Sequence, residues 1–175
     1  MSRQSADVST DHVEARRQQW RDELPDVDTI GMAILGRARL VTTLVRIPIE
    51  RVFERHGLDT GEFDVLTTLL RSGEPYRLRP TELYKSLMIS SGGLTDRLAR
   101  LEKAGLVRRR PSDTDARSLL VELTKSGRKT AEAAFREDMA TEKSLLKGLS
   151  SHERDQLATL LARLTTVVAD QTEKA

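Results

Sequence analysis

The sequence predicts a mainly α-helical chain with one small β-hairpin, and three observations predict it. Apolar side chains recur at helical spacing, as at Ile30, Ile34, Leu35, Ala38, Val41, Leu44 and Val45. Two short β-like runs, 106–110 and 119–123, flank Pro111-Ser112-Asp113-Thr114-Asp115-Ala116-Arg117. The second run alternates, with Leu119, Val121 and Leu123 on one face. Ahead of the hairpin, Gly, Pro and Ser cut the chain into the order helix, short helix, helix.

Residues 1–10 are polar and are expected to form a disordered tail. From Asp11 a helical stretch runs through Trp20 to Leu24 and stops at Pro25. A second helix opens with Asp28 or Thr29 as N-cap and ends near His56-Gly57, with a kink expected at Pro48. Asp59 and Glu62 have capping-box spacing ahead of Phe63, Leu66, Leu69 and Leu70, and Gly73-Glu74-Pro75 breaks that helix. Pro80 suits the first turn of a short helix carrying Leu83 and Leu87. Ser90 or Ser91 is expected to cap the next helix, which carries Leu94, Leu98 and Leu101 and ends at Gly105. After the hairpin, Thr124 starts a helix reaching about Leu146. Ser150 and Glu153 form another capping box before Leu157, Leu160, Leu161, Leu164 and Val168. The expected divisions are N-terminal helices over 11–56, a central lobe over 58–128 and C-terminal helices over 129–172.

Charged residues make up 32% of the chain and apolar ones 38%, a balance that suits a helical protein with much solvated surface. The net charge of +2 demands no particular partner. Its distribution says more: residues 90–129 hold ten basic and five acidic side chains, so this stretch carries +5 and the rest −3. Such asymmetry is expected of a polyanion-binding face, although charge alone fits a solvated surface equally well. Without cysteine, thiolate catalysis, disulfides and Cys-zinc sites are excluded. His12, His56 and His152 stand far apart, and neither a metal nor a cofactor is expected. No apolar run approaches the roughly 20 residues of a membrane span, and the N-terminus lacks an apolar signal region, so a cytoplasmic location is expected. Lacking a nucleophile–base–acid set and a phosphate-binding glycine loop, the chain does not read as an enzyme.

Two helices joined by a tight turn, followed by a hairpin, make a winged helix-turn-helix. The fold class is thus mainly α with a small β-hairpin, the reading lobe joined to a helical dimerisation lobe. The second helix suits a major groove roughly 12 Å wide. Ser90, Ser91 and Gly92 allow close approach and offer hydroxyls and amides to phosphates, while Thr95, Arg97 and Arg100 lie farther along the helix. Arg110 on the hairpin and the tip pair Asp115 and Arg117 extend the surface towards an adjacent minor groove, where arginine is favoured. Individually, Ser-Ser-Gly-Gly is an ordinary cap and Arg108-Arg109-Arg110 an ordinary solvated strand. Their order and spacing carry the reading.

The segments Gly61-Glu-Phe-Asp-Val-Leu66, Pro80-Thr-Glu-Leu83, Ser90-Ser-Gly-Gly-Leu-Thr-Asp-Arg-Leu98, Leu101-Glu-Lys-Ala-Gly-Leu-Val107, Asp113-Thr-Asp-Ala-Arg117 and Val121-Glu-Leu-Thr124 resemble the MarR family. The resemblance spans about residues 30–164 and is most specific over 60–128. It implies a homodimer that binds a pseudo-palindromic operator in double-stranded DNA and represses transcription. There are two departures. Ala116 replaces the first arginine of the family's usual Asp-Arg-Arg wing, and Arg79 stands where a small capping hydroxyl is usual. Arg117 matches the wing-tip arginine, and Asp115 can brace it.

The extra N-terminal helix with Trp20, together with Asp64, Arg97 and Arg109, resembles the urate-responsive branch of that family. By that likeness, these four residues bind a small aromatic anion, urate or a related purine, which releases the operator. An aromatic face, a hydrogen-bonding edge and a positive charge suit such a ligand. A response to phenolic or other aromatic acids, or none at all, stays open, as do purely structural roles for Trp20, Asp64 and Arg97.

Overall fold

Asp11 caps the first helix, α1 (His12–Glu23), its Oδ1 accepting the N–H groups of Val13 and Glu14 at 3.1 Å. The structure is a computed structural model that describes residues 11–87, 93–111 and 119–173. It divides between Ile47 and Pro48 into two compact units. In the first, α1 is held by charge. Glu14 bridges Arg17 at 2.7 Å and Arg21 at 2.8 Å, and Arg37 pairs with Asp11. Val13 is buried against Gly36, where an added Cβ would meet its Cγ1 at 3.4 Å.

The single helix expected from Asp28 onward has an irregular start. Met32–Gly36 form a π-helical turn, and α2 (Arg37–Arg55) continues from it. Such a turn inserts a residue into the helical ladder, and periodicity alone does not reveal one. Pro48 lies inside α2, lacks the N–H that would bond Leu44, and marks the boundary between the units. Beyond it Val52 and Phe53 are buried. Gly57, with φ 70°, closes α2 as Leu58 donates back to the Phe53 carbonyl at 3.0 Å and Gly57 to Glu54 at 3.0 Å.

In the second unit, α3 (Thr60–Arg71) opens on the expected capping box: Glu62 N–H donates to Asp59 at 2.7 Å, and Asp59 N–H to Glu62 at 3.0 Å. Its inner face, Val65, Leu66 and Leu69, is fully buried. A two-residue strand, β1 (Arg77–Leu78), precedes α4 (Pro80–Ser86). Arg79 makes no side-chain cap to α4, and the Glu82 carboxylate accepts the Arg79 N–H at 2.8 Å. Next come α5 (Leu94–Lys103), β2 (Val107–Pro111), β3 (Leu119–Leu123), α6 (Lys125–Leu145) and α7 (Ser151–Thr172). The antiparallel sheet has the order β1-β3-β2, with Arg109 opposite Val121 and Leu78 also opposite Val121. Sequence reading missed β1 because two residues carry no alternation.

One core joins these elements. Val52, Phe53, Leu66, Leu69, Leu83, Leu98, Leu101, Val107, Val121, Leu123, Ala131 and Ala134 cluster together. Gly127 brings the start of α6 against the backbone of Leu106, whose carbonyl oxygen would lie 1.8 Å from an added Cβ. Gly127→Ala is therefore expected to cost about 3 kcal/mol or more in unfolding free energy, read by urea denaturation. An unchanged midpoint would show that this contact yields freely. α7 differs in kind. It is capped by Ser150 and Glu153 as expected, yet buries no residue, and Leu160 is 63% exposed. In the first unit Leu44 is likewise 64% exposed.

Candidate nucleic-acid interface

Two arginines fasten α5 to the start of α3. The Arg97 side chain lies across Gly61, where a Cβ would approach its Nε to 2.2 Å. One turn later Arg100 donates from Nε to Glu62 Oε1 at 2.7 Å and from its other arm to Asp59 Oδ2 at 2.8 Å. Glu62 thus closes the cap with one oxygen and receives Arg100 with the other. The hydrogen bond to Glu62 leads the interactions that raise the Arg100 pKa above its usual value. Sequence reading assigns Arg100 to DNA. The structure shows its guanidinium paired with Asp59 and Glu62 of the α3 cap, with the side chain still 52% exposed.

The outer face of α5 presents Thr95, Asp96 and Ala99 to solvent. Gly93, in the left-handed conformation at φ 74°, is the N-cap of α5, so the helix starts at Leu94. The capping expected of Ser90 or Ser91 falls to Gly93; Ser90, Ser91 and Gly92 lie outside the described residues, as do Asp115 and Arg117 of the wing tip. A groove between α4 and α5 is lined by Thr81, Tyr84, Lys85, Leu94 and Thr95. Tyr84 is 55% exposed there. Sequence reading singled out neither Tyr84 nor Lys85 of this groove.

The pleat of β2 divides its arginines. Arg108 stands opposite Glu122 and donates to it at 2.8 Å, and Arg110, on the same face, approaches the other Glu122 oxygen at 3.6 Å. The Arg108 hydrogen bond leads the interactions that lower the Glu122 pKa. Arg109 points the other way, to Glu102 of α5 at 3.4 Å. Any anion that approaches Arg108 or Arg110 must therefore compete with Glu122. Glu122→Gln is expected to tighten binding to random DNA by about 3–10-fold and to steepen its salt dependence. Weaker binding would mean that Glu122 aims these arginines rather than occupying them.

Of the four ligand residues expected from sequence, Trp20 belongs to the first unit and is 49% exposed on α1. Asp64, Arg97 and Arg109 belong to the second. There, Asp64 is 7% exposed on α3, Arg97 crosses Gly61 on the same helix, and Arg109 faces α5. Asp64 also lines a cavity of about 630 Å³ bounded by α2, α3 and α6. Arg97 and Arg109 are not among its lining residues.

A helix-turn-helix braced on a core helix and followed by a β-hairpin, whose β3 also pairs with β1, defines the winged-helix class of DNA-binding proteins. The sequence profile of the MarR family matches residues 56–118. The HTH-type transcriptional regulator PecS of Dickeya dadantii (strain 3937) is 38% identical over 84% of this chain and 89% of its own. The chain belongs to the MarR family. Among solved structures, a mutant MarR from E. coli complexed with operator DNA is similar at 26% identity and TM-score 0.64, over 83% of this chain and 96% of that one. Sco3205 of Streptomyces coelicolor, in complex with DNA, is similar at 25% and 0.66, over 79% and 88%. No helix among the described residues is long and apolar enough to cross a membrane.

Proposed function

We propose that the protein is a homodimeric repressor that reads a pseudo-palindromic operator with α5 and lets go when a small aromatic ligand binds. The observation that carries the DNA reading is α5 clamped at Gly61, Asp59 and Glu62, with Thr95 and Ala99 turned to solvent. Preorganised in this way, the helix enters a groove without first being ordered. Ser90, Ser91, Gly92 and Thr95 meet phosphates and base edges. Arg97 lies at the root of the helix and Arg110 along the wing, and Asp115 and Arg117, outside the described residues, are assigned to DNA from the sequence. The exposed leucines of α7 and the apolar N-terminal half of α2 support a second copy as the partner. That two MarR-family regulators were solved on DNA supports the same role here.

Footprinting on DNA from upstream of its own gene tests the reading. Two protected half-sites with centres about one helical turn apart are expected. A single half-site, or none, would contradict a two-fold reader. Arg117→Ala is expected to weaken binding about equally on specific and random DNA, whereas Thr95→Ala should narrow the gap between them. Equal effects of the two substitutions would contradict this division.

For the effector, a half-exposed tryptophan in a chain with so few aromatics favours an aromatic anion, urate or a related purine, received by Trp20, Asp64, Arg97 and Arg109. Trp20→Phe and Arg97→Ala should each weaken urate binding in calorimetry. Unchanged affinity in both would discard that site.

A further inference from the structure

We propose that Asp96 is a specificity-determining residue of α5, whose carboxylate selects a C·G base pair in each half-site by accepting a hydrogen bond from the cytosine N4 amino group. The inference rests on the operator reading above and assigns one base pair within it.

Helical geometry puts Asp96 at the outermost point of α5. Leu98 and Leu101 are buried and Leu94 packs beside them, forming the stripe by which the helix meets the core. At about 3.6 residues per turn, Asp96 stands almost diametrically opposite that stripe. It is exposed, as are Thr95 and Ala99 on either side of it. Because the helix starts at Leu94, Asp96 also belongs to its first turn. In a helix-turn-helix the N-terminal residues of the second helix are the ones that reach base edges.

The cations nearest to Asp96 in sequence are engaged elsewhere. An acid on a helix ordinarily pairs with a base three or four residues on, and Arg100 occupies that place. Its Nε donates instead to Glu62 and its other arm to Asp59, while Arg97 lies across Gly61. Among the described residues, no side-chain hydrogen bond or ion pair engages the Asp96 carboxylate.

Such a carboxylate is repelled by DNA phosphates unless the groove offers it a donor. It only accepts, so it discriminates between base edges. In the major groove thymine presents an acceptor at O4, guanine acceptors at N7 and O6, and adenine an N6 donor beside the N7 acceptor. Cytosine alone presents a donor with no acceptor on the same base. The carboxylate is therefore favoured at cytosine and penalised at the other three, and specificity comes from the repulsion as much as from the bond. An acid in the first turn also suits the helix dipole, but that contribution is the same on every DNA sequence.

Selection of bound duplexes from a random-sequence DNA pool, with the full chain as wild type, Asp96→Ala and Asp96→Asn, tests the assignment. The wild type should select a motif with a C·G pair fixed at the same place in both half-sites. In Asp96→Ala that place should become degenerate while the rest of the motif persists. In Asp96→Asn it should move to adenine, whose N6 and N7 an amide contacts together. On the selected duplex, anisotropy should show that replacing this cytosine by thymine costs the wild type about tenfold in affinity and Asp96→Ala less than about twofold. A residue that only supports the helix start would weaken binding to every sequence alike and leave the motif unchanged. That result, or selectivity lost at a pair other than C·G, would overturn the proposal and leave the operator reading intact. A wild type that selects no motif would overturn both.

Discussion

Leu160→Glu is expected to abolish dimerisation and, with it, at least about 100-fold of operator affinity. The 22-residue α7 buries none of its residues, although Leu157, Leu160, Leu161, Leu164 and Val168 recur along one stripe. Isolated helices owe most of their stability to packing of such a stripe, so a helix left uncovered by its own chain needs a second one. Each leucine buried there contributes about 1.5–3 kcal/mol. A two-fold interface would receive the substituted carboxylate twice, losing both leucines and adding two charges without partners. The dimer dissociation constant should then rise by about 100-fold or more, since each 1.4 kcal/mol is a factor of ten. Sedimentation velocity would show a folded monomer, and anisotropy would show the loss on DNA. A variant that stays dimeric and binds the operator normally would remove α7 from the interface.

Arg100→Met is the second large effect, expected to weaken binding to specific and random DNA alike by about 10–50-fold. Methionine keeps the aliphatic stem and removes the guanidinium that ties α5 to Glu62 and Asp59. The Arg100–Asp59 pair is half exposed and carries little global stability, whereas Glu62 is only 11% exposed and adds a modest cost. Its consequence is geometric: the reading helix loses one of its two fastenings to α3, and every contact it makes is blurred together. A loss confined to specific DNA would instead return Arg100 to the base-reading set. Circular dichroism and thermal melting should change little, which separates this outcome from unfolding.

The fold was legible wherever local chemistry determines it. Asp59 with Glu62, Ser150 with Glu153, and Gly57 and Gly105 at helix ends are short-range devices, and each works as its spacing predicts. At Gly105 the closure is complete, with Leu106 N–H returning to the Leu101 carbonyl at 2.9 Å. The π turn at Met32–Gly36 and the two-residue β1 were not legible. One is an insertion that leaves hydropathy unchanged, and the other pairs with a strand more than forty residues away. The interruption expected at Pro48 is not one, since α2 runs through it from Arg37 to Arg55.

The candidate site was legible in residue type rather than in pairing. Sequence marks Arg97, Arg100, Arg108, Arg109 and Arg110 as a basic cluster, and no spacing rule reveals that Glu62 and Asp59 hold Arg100, or that Glu122 sits between Arg108 and Arg110. Those partners come from other elements, so only tertiary structure decides which arginines remain available to phosphate. Asp138 is the extreme case. On a helix of mixed charge nothing distinguishes it from Glu137, which pairs with Arg55 and His56 at the surface, until the fold buries one and leaves the other to solvent.

The most direct test of the central claim is fluorescence anisotropy of the purified protein on DNA from upstream of its own gene. Random DNA of equal length serves as the control, and salt is set at about 50 and about 200 mM. A specific reader should bind the upstream fragment at least about 1,000-fold more tightly than random DNA, with both affinities falling as salt rises. Equal affinity for the two fragments, or binding insensitive to salt, would contradict a regulator that reads DNA through α5 and anchors itself by its arginines.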